Sequence, residues 1–223
     1  YTVTESLRVA AMYEQIGRNM VELKRYTAEA IELSERYGFS GLLAASRIFD
    51  AFCDVVTSRN LEALVVIRRE LSIYRDNYGL LFYPYFHGLL AEAYLFVNLF
   101  EKAYTESIQV LSLIDHYGEN WSRVPAMLVR AEAAARGNLA ADSQIHQWYS
   151  DALVVSGSQG ADLFQKRVEI SQAQFRNGAD KGFEQPSIFL SALSPDAANS
   201  EFSLTEASEL ASANQYIVAL KNN

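Results

Sequence analysis

A chain of 223 residues, half of them hydrophobic and 21% charged, carries enough apolar material for a substantial core, and only four prolines argue against a loop-rich or disordered polymer. A formal charge of −8 and a pI near 5.0 exclude a non-specific surface for nucleic acid or an anionic membrane, since either needs an excess of Lys and Arg. Cys53 is the only cysteine, so no intrachain disulfide can form, and its neighbours Phe52 and Val55 place it as a buried thiol within a helix of a protein from a reducing compartment, the cytoplasm.

From Thr4 to Ile16 and from Met20 to Tyr37, apolar residues recur at helical spacing around a Gly17-Arg18-Asn19 turn, which predicts a helical hairpin. Gly38 follows the second helix, where a left-handed cap is least strained for glycine, and Ser40 offers an N-cap oxygen to the next. A second hairpin is predicted from about Gly41 to Thr57 and Asn60 to Tyr78, closed by Gly79. The third runs from Pro84 to Asn98 and from Phe100 to Tyr117, and the fourth from Arg123 to Arg136 and Ala141 to Val155. These give repeat units of about 1–38, 39–79, 80–118 and 119–160. The remainder, 161–223, reads as a final helix to Arg176, a turn-rich stretch around Pro186 and Pro195, and a capping helix from Leu204 to Leu220 opened by Ser203 and Glu206.

The repetition is regular. Ala30, Leu71, Val110 and Ala152 each stand eight residues before a glycine (Gly38, Gly79, Gly118, Gly160), and these anchors fall 41, 39 and 42 residues apart. A fixed period near 40 is the mark of stacked helical hairpins that bury their apolar faces against one another. The expected fold is an all-α, tetratricopeptide-like α-solenoid of four hairpins and a capping segment. The third unit carries that pattern best, with Leu90, Ala91 and Tyr94 on its first helix, Asn98 at the turn and Ala103 on its second. No window is long and apolar enough for a membrane span and no signal peptide opens the chain, which begins at Tyr1 and reads as a fragment of a longer protein.

The stretches Ala30–Phe39, Leu89–Tyr94 and Tyr117–Trp121, with Arg130 in the following helix, resemble the C-terminal helical repeats of large bacterial signalling proteins. In that family such repeats follow a signal-transducing ATPase module, often with a nucleotide cyclase or DNA-binding domain. The likeness spans nearly the whole chain, with Phe202–Leu220 matching the family's terminal helix. It departs at Ser58 and Asn98, where the family has glycine, and in the aromatic character of Phe49–Val56. The resemblance implies a regulatory or interaction module, with cyclase or ATPase chemistry residing elsewhere in the parent protein.

The residues themselves name no reaction. There is no phosphate-binding Gly-rich loop, and His87, His116 and His146 stand apart from one another without a cysteine pair, so neither a nucleotide, a cofactor nor a metal is expected. His116 sits in a last helical turn, where a cation is favoured. Glu92, Glu101, Glu106, Glu119 and Glu132 read as solvated helix faces. Tetratricopeptide geometry would point Tyr85, Gly88, Glu92, Leu95 and Phe96 of the third unit, and Met127, Arg130 and Ala134 of the fourth, into a concave groove. Tyr85, Glu92, Phe96, Met127 and Arg130 are therefore the candidate binding residues for a protein or peptide partner. The aromatic members read equally well as inter-repeat core. The expected function is a non-enzymatic sensing or protein-interaction arm; the alternatives are a small-molecule effector site in the groove or an oligomerisation scaffold.

Overall fold

Glycine closes one kind of turn in this chain and larger residues close the other. The computed structural model describes residues 1–177, and among them the chain is all-α, with no strand. Its helices are α1 (Thr2–Gly17), α2 (Met20–Tyr37), α3 (Ser40–Ser58), α4 (Glu62–Tyr78), α5 (Tyr83–Phe96), α6 (Phe100–Tyr117), α7 (Arg123–Gly137), α8 (Asp142–Gln159) and α9 (Asp162–Arg176), with a 3₁₀ turn at Asn120–Ser122 ahead of α7. At the end of α2, Gly38 takes φ 72° and donates its N–H to the Ser34 carbonyl. Gly118 does the same for α6 at φ 74°, donating to Ile114. Within hairpins, by contrast, the left-handed positions are filled by Arg18 (φ 64°), Arg59 (φ 53°), Asn98 (φ 61°) and Asn138 (φ 52°). A non-glycine residue there carries strain that its surroundings must hold in place. For Arg18 those surroundings are the inner site described below.

The links inside hairpins are so short that each second helix must return antiparallel to the first. Every helix packs on the next, and each odd-numbered helix also packs on the following odd-numbered one, from α1·α3 to α7·α9. The even-numbered helices make no comparable contact with one another. Alanines set the spacing: Ala44, Ala45, Ala93, Ala103, Ala131, Ala133 and Ala134 are fully enclosed and let neighbouring helices approach closely.

The main core joins α1 through α6 and reaches Val129 and Ala133 of α7, and a second core holds α7, α8 and α9 together. Pro84 lies in the first turn of α5, where its missing N–H costs nothing. The link before it is pinned by the Tyr74 hydroxyl donating to the Leu81 carbonyl at 2.6 Å and by the Phe82 N–H donating to Glu119 at 3.0 Å.

Ser40 does not cap α3. Phe39 occupies the N-cap without a side-chain bond, because the Ser40 hydroxyl turns to Asn77 Oδ1 of α4 at 3.1 Å instead. Cys53 is 3% exposed, its thiol directed at the Met20 carbonyl at 3.5 Å, and burial pushes the thiol up from its ordinary value. The turns around Pro186 and Pro195 and the capping helix from Leu204 to Leu220 lie outside the described residues. Among the described residues no helix is long and apolar enough to cross a membrane.

Candidate functional site

Tyr85, Gly88, Glu92 and Phe96 are three, four and four residues apart, which puts them on one stripe of α5. The stripe faces the side lined by the odd-numbered helices. Glu92 is its centre. Arg18, from the α1–α2 turn, grips the carboxylate with both terminal nitrogens, Nη1 reaching Oε2 at 3.2 Å and Nη2 pairing with Oε1. Arg167 of α9 donates from Nη2 to Oε1 at 3.2 Å, and Gln15 Nε2 of α1 reaches Oε2 at 3.4 Å. The Tyr85 hydroxyl completes the ring of bonds by donating to Gln15 Oε1 at 2.7 Å.

The node therefore ties together three helices distant in sequence. It does so in a dry setting, with Gln15, Arg18, Tyr85 and Arg167 all buried. Arg18 lies against the rings of Phe52 and Phe96, 5.8 and 5.4 Å from their centroids, so Phe96 belongs to the same site as a wall.

Two cations against one carboxylate set the local electrostatics. Burial pushes the Glu92 carboxyl up, but the Arg18 and Arg167 guanidiniums outweigh it and hold the group below its ordinary value. Arg167 is lowered to about 10, first by burial and then by the like charge of Arg18, with Glu92 and Glu132 opposing. Glu132 of α7 goes the other way: burial raises it, and Ser171, Arg167 and Arg136 compensate only in part. Two glutamates around one arginine thus occupy opposite electrostatic states. Beside the node, between Gly88, Pro125, Val129 and Phe164, remains a cavity of about 20 Å³, room for a single water.

The two candidates from the fourth unit are not part of this site. On α7 the residues that face it are Pro125, Ala126 and Val129. Met127 packs into the second core, and the Arg130 guanidinium lies 4.1 Å above the Trp148 ring of α8 and 5.9 Å from that of Tyr104 on α6. A 3₁₀ turn at Asn120–Ser122 precedes α7, and the residues of α7 that line the site precede the expected ones in the chain. Arg130→Glu is expected to remove this cation–π clamp, worth about 1–2 kcal/mol, and to lower Tm by roughly 5 °C in a circular dichroism melt. An unchanged melt would show that the guanidinium is not held between the rings.

On the opposite side, two open troughs lie between successive even-numbered helices. One, of about 650 Å³, separates α2 from α4 above α3; the other, of about 580 Å³, separates α4 from α6 above α5. Corresponding lining positions, Arg47 and His87, Glu70 and Gln109, and Ile73 and Ser112, are 39 or 40 residues apart, so the troughs recur with the repeat. His87 at the floor of the second lies 3.3 Å from Glu106 and packs against the Tyr83 ring. Nothing in the periodicity announced Arg18 or Arg167, because one sits in a turn and the other reads as a surface cation. Comparison with family models, with curated proteins and with solved structures finds no match to the chain.

Proposed function

We propose that the chain is a tetratricopeptide-like α-solenoid that serves as a non-catalytic protein-interaction module within a larger cytoplasmic signalling protein. The observation that carries this reading is the pair of troughs between even-numbered helices, recurring at the repeat period with aliphatic and charged side chains among their linings. Such surfaces suit a partner's helix or extended segment, where apolar contact supplies affinity and charge fixes register. The inner face contributes differently. Its carboxylate is already satisfied by the chain's own arginines, and the space beside it is that of one water, so its role in this reading is to hold the curvature of the array.

The test is selection of peptides from a random displayed library on the immobilised chain, with a Glu62→Lys, Ile108→Lys variant as the comparison. Both positions are exposed, one in each trough, so the fold is not at stake. Convergent sequences that bind the wild type and lose binding to the variant are the expected result. Failure to converge, or equal capture by the variant, would remove the reading.

A further inference from the structure

We propose that the trough between α2 and α4 recognises a basic segment of a partner protein, one that sets a lysine or arginine among Asp50, Asp54 and Glu62 and lays aliphatic side chains beside it. This rests on the interaction reading above and gives one of its surfaces a chemistry. Asp50 and Asp54, one turn apart on α3, converge on a single ammonium: Lys24 Nζ lies 2.8 Å from one and 2.7 Å from the other. The chain's own lysine thus shows the contact that an incoming cation would extend. Glu62 stands across the trough at the start of α4, exposed and with its side chain in no ion pair among the described residues.

A second observation is independent of these surface acids. Glu70, on the same wall, is 1% exposed, yet only its Oε1 is engaged, by Arg69 Nε and Nη2 at 3.0 and 2.6 Å and by Arg47 Nη1 at 3.8 Å. Its Oε2 is enclosed and has no donor among the described residues. A buried carboxylate oxygen without a donor is costly, and the arginines that cover Glu70, Arg69 at 60% and Arg47 at 36% exposed, are placed to yield to another cation.

Four carboxylates and two arginines line this trough, whereas Arg75 and His87 line its neighbour with no carboxylate among its walls. The acidity is local. The walls carry the aliphatic Ile31, Val66 and Ile73 and the trough is wide open to solvent, which fits side chains presented on a helix better than a free polyamine needing enclosure.

The experiment is a fluorescence anisotropy titration with a labelled synthetic helix of leucine and lysine at helical spacing. An isomer with glutamate in place of lysine, and free spermidine, are run beside it. Glu62→Gln alone and Asp50→Asn with Glu62→Gln are compared with Glu29→Gln plus Glu101→Gln, which removes the same charge from exposed sites elsewhere. The lysine helix should bind saturably, weaken roughly tenfold in the double trough variant and change less than about twofold in the control. Equal weakening in both would mean bulk attraction to a chain of charge −8 and would overturn the proposal. So would spermidine binding as tightly as the helix through the same residues. Capture of non-basic peptides in the library, with the lysine helix silent, would overturn this proposal and leave the module reading standing; no peptide bound in either experiment would remove both.

Discussion

Replacing Glu92 with glutamine is expected to cost about 3–5 kcal/mol of folding stability, the range for breaking a buried ion pair by removing one partner. The size follows from what stays behind. Arg18 and Arg167 are each less than one-tenth exposed and both donate to this carboxylate, so a neutral amide removes the charge that offsets the repulsion between them. Replacing the whole node with apolar residues, as Arg18→Met, Glu92→Leu and Arg167→Met together, is expected to restore most of the loss, because the two arginines and the carboxylate between them are then all gone. The effect also has a pH signature. A carboxyl depressed in the folded state and titrating near 4.5 in the unfolded chain contributes fully above 4.5, and that contribution disappears as pH falls through the folded value. Wild type and Glu92→Gln should therefore differ most at pH 7 and converge in acid. Urea denaturation at pH 7 and near pH 3 makes the comparison; a loss under about 1 kcal/mol at pH 7 would show that water, and not Glu92, solvates the arginines.

The helices could be read in advance because they rest on local rules. Apolar spacing marked their interiors, and glycines such as Gly38 and Gly118, which must adopt a positive φ, marked their ends to within a few residues. The stripe of Tyr85, Glu92 and Phe96 was also visible, since one helix fixes it. What faces that stripe was not. Arg18 and Arg167 arrive from 74 and 75 residues away, and only the curvature of the packed odd-numbered helices brings them to one carboxylate. In sequence, Arg18 is a polar residue in a turn; in the fold, its left-handed backbone is held while its side chain neutralises Glu92. Arg130 shows the converse. A cation at helical spacing looked like a groove residue, but its guanidinium lies over the Trp148 ring of α8.

Phe49→Ala is expected to cost a further 3–5 kcal/mol, and the reason explains why the helix from Phe49 to Val56 carries more aromatic residues than its resemblance implied. Phe49 is fully enclosed and meets Phe86 edge-on at 5.2 Å and Tyr85 at 6.2 Å between centroids. From there the rings continue through Tyr85 to Trp121 at 4.9 Å and through Phe86 to Tyr74 at 4.8 Å. The second and third hairpins and the turn before α7 share this row, which fills the volume between them where alanines alone would leave a gap. Truncating its middle member opens a cavity whose aromatic walls cannot close without shifting Tyr85, and Tyr85 anchors Gln15 at the Glu92 node. The cavity should be dry and apolar, so saturating benzene should recover part of the lost stability of Phe49→Ala while leaving wild type unchanged. Denaturation with and without benzene reads both effects. A cost below about 1 kcal/mol, or no response to benzene, would mean that the hairpins slide together to fill the space. The rings would then follow the spacing of the array instead of setting it.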